Sequence, residues 1–173
     1  MKLHGSLTVN GKAYAAGDEL PGRLVYPFFL LHMGMFGASG FFMAYGAPDV
    51  PLPFLFLHGG FAILVYLVFY LAIFGKDEVK WMLLNAALGV FGIGTEIGWL
   101  LGLFGKSPGD YAWYRHIVPF GYYVLYTFLI RHLLLDATSS REDPERRRRV
   151  ESAYVWGSAV FYLCFWLWGR LHR

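Results

Sequence analysis

Residues 52 to 74 read LPFLFLHGGFAILVYLVFYLAIF, a run of 23 residues without one charged side chain. An α-helix rises about 1.5 Å per residue, so this run is long enough to cross the roughly 30 Å hydrocarbon core of a bilayer. A helix also satisfies its own backbone hydrogen bonds, which lipid cannot do. The stretch therefore predicts a transmembrane helix that carries His58 in its interior.

Four more apolar stretches, at about 24–47, 80–104, 111–135 and 151–169, have similar length and are separated by short polar connections. Of all residues, 57% are hydrophobic and only 16% are charged, whereas soluble domains carry roughly 25% charged residues. We therefore expect an all-α, polytopic bundle of five transmembrane helices in residues 23–173. The composition gives no indication of a nucleic-acid-binding module.

The first 22 residues are polar and contain no apolar core long enough for a cleavable signal peptide. Asn10-Gly11 suits the positive φ angles of a tight hairpin turn, and short β-prone segments flank it. We expect a cytoplasmic leader, residues 1–22, with a short hairpin that caps the end of the bundle.

Positive charge resists translocation, so the distribution of lysine and arginine predicts the orientation. With the N-terminus in the cytoplasm, eleven of the 15 basic residues lie inside and four, Lys106, Arg115, Arg170 and Arg173, lie outside. The prediction is an N-in, C-out protein of the inner, or cytoplasmic, membrane.

The last span is preceded by residues 139–145, SSREDPE, which suggest a helix start with a serine cap, early acids and an early proline. Four arginines follow: Arg146, Arg147, Arg148 and Arg149. At headgroup depth each would gain about 1 kcal/mol from anionic lipid. Anionic lipid headgroups are therefore the partners expected for these arginines.

Ionisable side chains within spans are costly, at roughly 2.5 kcal/mol or more for a charge at mid-helix, and each therefore needs a partner or a purpose. Four stand out: His32, His58, Glu96 and His116. Counting along the helices places His58 and Glu96 on the order of 14 Å below the outer surface. His116 should lie somewhat closer to that surface, and His32 in the inner half.

Helix spacing also predicts which way Glu96 points. It belongs to a stripe of residues four or three positions apart on the third span: Asn85, Gly89, Gly92, Glu96 and Trp99. Small residues on such a stripe let a neighbouring helix approach closely or leave room for a flat ligand. We expect Glu96 to face the interior of the bundle.

Histidine close to glycine in an apolar helix suits haem, since imidazole supplies an axial ligand and glycine leaves room for the ring. His32 opens the run HMGMFGASG, and Gly59-Gly60 follow His58. The first run resembles the ligand-bearing helix of the haem-b subunit of respiratory nitrate reductase, also a five-span protein. That family's second histidine is absent here, where Phe41, Phe42 and Met43 stand. A b-type electron-transfer protein is the first hypothesis, with His58 and His116 as axial ligands and His32 next; His132 is expected at the aqueous interface.

Two other classes of function remain open. His58, His116 and Glu96 could hold a divalent metal, or Glu96 could act as an acid with His58 or His116 as its partner, in an enzyme or carrier for a lipid or isoprenoid. Tyrosines and tryptophans around the fourth span would suit an interfacial belt, or an entrance for a quinone-like molecule. The third class is an accessory subunit with a partner protein or a second copy of itself. Whether the chain is an enzyme stays open.

Overall fold

The computed structural model describes residues 2–9, 11–47 and 49–171, without the side chains of residues 24, 91 and 93. Asn10 and Arg173, which entered the sequence argument, lie outside this part. The chain is 77% helical. Four of its helices are long and apolar enough to cross a membrane, and a bent pair of segments makes five if it counts as one span.

Six α-helices make up the bundle. Their bounds are α1 Gly22–Phe41, α2 Leu52–Phe74, α3 Lys76–Val79, α4 Trp81–Gly102, α5 Ile117–Ala137 and α6 Pro144–Leu171. One turn of π-helix, Phe42–Gly46, extends α1, and the 3₁₀ turns Pro108–Asp110 and Trp113–His116 precede α5. Residues 22–46, 52–74 and 81–102 lie within two residues of the predicted spans, whereas α5 begins six residues after its predicted start and α6 begins seven residues before its own.

The leader forms a small antiparallel hairpin, with β1 Leu7–Val9 paired to β2 Lys12–Tyr14. Just before it, the backbone N–H groups of His4 and Gly5 donate to the carbonyl of Ala72, at 2.8 and 2.9 Å. Leu3 is buried. The leader is therefore attached to the end of α2, whose last turn has carbonyl groups that the helix itself cannot satisfy.

Helix α5 is the centre of the bundle, because it packs against α1, α2, α4 and α6. Glycines allow the closest approaches: a Cβ added to Gly59 of α2 would meet the side chain of Val118 on α5. Large apolar side chains cover the outside of the helices, and in α6 only Tyr162 is fully buried. An apolar surface of this extent is expected where a helix faces lipid.

Helix α4 is not straight. Its segments Lys76–Val90, which includes α3, and Gly94–Gly102 are inclined at 54° to each other. Gly89, Gly92 and Gly94 lie at or beside the break, and sharp kinks in helices commonly occur where glycine weakens the helix. The predicted third span is therefore a bent segment.

The predicted serine cap of the last helix is wrong. The helix begins at Pro144, and Oδ1 of Asp143 accepts hydrogen bonds from the N–H groups of Glu145 and Arg146, at 3.0 and 3.1 Å. Proline restricts the residue before it to extended conformations, so Asp143 is held in the backbone conformation of a helix cap.

Candidate functional site in the membrane-spanning region

An apolar groove lies between α1 and α2 and encloses a cavity of about 460 Å³. We call it the aromatic groove. Its walls contain six phenylalanines and three polar aromatic residues: Phe28, Phe29, Phe36, Phe54, Phe61, Phe69, His32, His58 and Tyr66. Phe54 and Phe61 are 54% and 67% exposed, so the groove opens on the outer surface of the bundle. A cavity of this size and lining suits a small hydrophobic ligand.

His58 lies in this groove and forms a hydrogen bond with Ser39. Its Nε2 lies 3.1 Å from the hydroxyl oxygen of Ser39, and that hydroxyl donates to the Phe36 carbonyl at 2.9 Å. The single hydroxyl hydrogen is thereby used, so Ser39 accepts from Nε2–H of His58. In that tautomer Nδ1 of His58 is a hydrogen-bond acceptor for a ligand.

His32 lies in the same groove. Its Nδ1 donates to the Phe28 carbonyl one helical turn earlier, at 2.8 Å, and its ring lies 4.1 Å from that of Phe28. The Nε2 atom is then the one that can contact a ligand. The structure thus brings His58 together with His32 rather than with His116.

His116 lies outside the groove, at the end of the bundle where α1 finishes. Its Nδ1 is 2.7 Å from the hydroxyl of Tyr45. The carbonyl of Tyr45 accepts from the Lys106 ammonium at 3.0 Å and from the Tyr111 hydroxyl at 2.8 Å. Cations and donors at a helix C-terminus satisfy its last carbonyl groups, so His116 belongs to a structural cap.

Glu96 is half-buried on α4, a helix that packs against α6. The hydrogen bonds of His58 and His116 lie elsewhere, to Ser39 and Tyr45. Across the described part of the chain, no group of three histidine, cysteine, aspartate or glutamate side chains is placed to hold a metal ion.

The stripe on α4 divides into a buried and an exposed part. Asn85, Gly89 and Gly92 are buried, whereas Trp99 is 53% exposed. Tyr123 of α5 packs against both glycines, and Tyr162 of α6 packs against Gly92. The small residues therefore allow two neighbouring helices to approach, and the stripe is exposed only by the level of Trp99.

A buried ionic cluster at the leader end of the bundle escaped the sequence analysis. Arg131 of α5 is 1% exposed and lies 4.0 Å from the centre of the Trp81 ring. It donates to Glu78 at 3.0 Å and to Glu151. Arg147 bridges the same two carboxylates at 2.6 and 2.9 Å. The sequence does show opposite charges at the same end of three predicted spans. Which of these charges form ion pairs depends on which helices are neighbours, and the sequence does not show that.

His132 is the residue whose expected environment differs most from the one observed. It was expected at the aqueous interface, yet it is 0% exposed and stacks on Phe74 with 4.0 Å between ring centres. Its Nε2 accepts from Arg131 at 3.3 Å. Depth along the helix placed it near the interface, but the leader and the α5–α6 connection cover that end of the bundle.

The arginine run at the start of α6 has two kinds of surroundings. Arg147 faces the protein in the ionic cluster, whereas Arg146, Arg148 and Arg149 are exposed, the last paired with Glu145 at 3.4 Å. Nearby, Arg141 binds Asp136 at 2.5 Å. Burial lowers the pKa of Arg141, but the hydrogen bond and charge of Asp136 outweigh it and the pKa is raised above its ordinary value.

Together these observations define a class: a helical protein with four to five helices able to cross a membrane, whose α1 and α2 form a groove lined by aromatic rings and two histidines. Comparisons with protein-family models, with curated proteins and with solved structures find no match to this chain.

Proposed function

We propose that this chain is a five-span protein of the cytoplasmic membrane that binds a quinone-like or isoprenoid-like molecule in the aromatic groove. The observation that carries the proposal is the placement of His58 and His32 in one lipid-facing cavity with six phenylalanines. Ligand sites typically combine a largely apolar lining with a few placed polar groups.

The five-span arrangement counts the bent α3–α4 pair as one crossing. In that arrangement the leader, Arg131, Arg141 and Arg147 share one end of the bundle, and Lys106 and Arg115 lie at the other. The end with more basic residues faces the cytoplasm under the positive-inside rule. This supports the N-in orientation, with the end of α6 outside.

The groove's chemistry favours a flat ligand that carries a hydroxyl group, such as the quinol form of a quinone. Phenylalanine rings offer stacking surfaces, and Nδ1 of His58, whose ring is oriented by Ser39, accepts a hydrogen bond from the hydroxyl. Because Phe54 and Phe61 are exposed on the lipid side, the ligand would enter from the bilayer.

The test is binding of a short-chain ubiquinol analogue, kept reduced, to the purified chain in detergent, measured by calorimetry, with organic extraction of co-purified lipids. A net hydrogen bond contributes about 0.5–1.5 kcal/mol, so His58→Leu should weaken binding by up to about tenfold. Phe61→Ala should weaken it further through lost contact. Phe161→Ala removes an exposed ring from α6 and is the matched control. Equal binding by all three variants would contradict the proposal.

Haem is the second candidate, because His32 and His58 line the same groove and Nδ1 of His32 donates to a backbone carbonyl, as axial histidines commonly do. The proposed ligand pair is then His32 and His58, in place of His58 and His116. A red preparation with a Soret band that disappears in His32→Ala and persists in His116→Gln would support haem over a quinone. A preparation that stays colourless after haem reconstitution would contradict haem binding.

A further inference from the structure

A second polar feature lies between α4, α5 and α6, which are largely different helices from those that form the aromatic groove. We call it the polar seam. It consists of six residues from the three helices: Asn85, Glu96, Tyr123, Thr127, Tyr154 and Tyr162. All six lie in helices that face lipid elsewhere, so their polar groups cannot rely on bulk water.

The half of the seam nearer the leader end of the bundle is built around Tyr154 of α6. Its hydroxyl donates to the Thr127 carbonyl at 3.2 Å and lies 3.4 Å from Oδ1 of Asn85. Asn85 is 1% exposed, and its Nδ2 has no hydrogen-bond partner within the described part of the chain. A buried donor left unpaired is unfavourable, so a bound water is expected beside it.

The other half, farther from the leader, continues along the same helices. The buried hydroxyl of Tyr123 also lacks a partner in the described structure. A Cβ added to Gly92 would lie 2.7 Å from that hydroxyl and 2.8 Å from the Tyr162 ring. Glu96 follows Gly92 by one helical turn, beyond the bend in α4, and is half-buried. It therefore lies one turn past the point where Tyr123 and Tyr162 pack against α4.

At its end nearer the leader the seam meets the ionic cluster. Glu151 precedes Tyr154 by three residues on α6, and Arg131 follows Thr127 by four on α5, so each pair shares a helix face. Nε of Arg131 is a further buried donor without a partner among the described residues. Unpaired polar atoms thus recur from the charged end of the bundle to the level of Tyr123.

We propose that the polar seam holds water molecules that carry protons between the ionic cluster and the Glu96 carboxyl group. Buried waters occupy sites where protein donors and acceptors lack partners, and typically make about three hydrogen bonds. In each transfer one water gives a proton to a carboxylate oxygen of Glu96 and regains one from its neighbour in the seam, and the water beside the ionic cluster regains its proton from bulk water at that end of the bundle. Proton relays are among the functions that ionisable residues within spans serve.

The test is infrared spectroscopy of the full-length protein in lipid bilayers. The carbonyl-stretch band of a protonated carboxyl group is assigned to Glu96 by its loss in Glu96→Gln, and its deuterium exchange is followed after transfer to D₂O. Tyr154→Phe removes one bridging hydrogen bond and should slow exchange by about tenfold. Asn85→Leu should slow it at least as much.

The matched control is Tyr126→Phe, the same chemical change on the exposed face of α5, which should exchange at the unmodified rate. Tyr154→Phe removes only a hydroxyl group, so it serves if Asn85→Leu does not fold, as judged by circular dichroism and gel filtration. Unchanged exchange in Tyr154→Phe would overturn the proposal, and so would a spectrum in which Glu96→Gln removes no protonated carboxyl band. Neither result bears on ligand binding in the aromatic groove.

Discussion

A methyl group added to Gly59 would lie 2.3 Å from Cγ1 of Val118, so α2 and α5 are in contact at this level of the bundle. The neighbouring Gly60 has no described atom within 4 Å of the same added group. Two adjacent glycines therefore have opposite surroundings, one between helices and one facing lipid. His58, beside them, is thereby turned away from α5 and into the aromatic groove.

The first prediction is that Gly59→Ala destabilises the protein and Gly60→Ala does not. Overpacking of a tight contact typically costs about 1–3 kcal/mol. The measurement is thermal unfolding in detergent followed by circular dichroism. Val118→Ala introduced with Gly59→Ala should recover part of the loss, whereas equal destabilisation by the two glycine variants would contradict this helix contact.

The second prediction concerns the ionic cluster. Replacement of Arg131 by methionine leaves Glu78 and Glu151 with one cation fewer in a buried site, and loss of one member of such a cluster typically costs about 3–5 kcal/mol. Arg149→Met, at an exposed pair with Glu145, should cost less than about 1 kcal/mol. Chemical unfolding of the two variants measures the difference. Similar stabilities would show that the cluster contributes little.

The third prediction concerns the cap at the opposite end. Tyr45→Phe removes the hydroxyl that contacts His116 and should destabilise the protein by about 0.5–1.5 kcal/mol, the usual net contribution of one hydrogen bond. Tyr126→Phe, on the lipid-facing surface, provides the comparison and should leave the unfolding temperature unchanged. A Tyr45→Phe protein as stable as this control would argue against a capping role for His116.

The fourth prediction concerns the proposed topology. In a Cys164→Ala background, single cysteines replace Ser6, Ala112 or Leu171, all exposed in the structure, and a membrane-impermeant maleimide is applied to intact cells. Ala112→Cys and Leu171→Cys should react. Ser6→Cys should react only after the membrane is permeabilised, because the proposed topology places the leader in the cytoplasm. Reaction of Ser6→Cys in intact cells would reverse the proposed orientation.

Long-range hydropathy and helical spacing predicted most of what the structure contains at the level of single helices. Most of the apolar runs became helices within a few residues of their expected bounds, because backbone hydrogen bonding in lipid leaves few other conformations. The stripe on α4 was recognisable from spacing alone as far as Gly92. The helix cap at Asp143 was not predicted. Pro144 restricts the backbone of the residue before it, and this favours Asp143 as the cap over the serines earlier in the chain.

Which helices pack against each other could not be predicted from the sequence in the same way. The sequence shows Glu78, Arg131 and Glu151 at corresponding ends of their spans, but only the packing of α5 against its neighbours brings these charges together. The expected grouping of His58, Glu96 and His116 relied on their depth along the helices. Depth does not tell which neighbouring helix each side chain faces.

The sequence by itself determined the lengths of the helices and the level of each polar side chain, since both follow from residue count and the fixed rise of a helix. The tertiary structure alone decided the direction in which each side chain points, because rotation of a helix about its own axis is set by close packing with its neighbours. Contacts such as Gly59 with Val118 set that rotation, turning His58 toward Ser39, while His116 meets Tyr45.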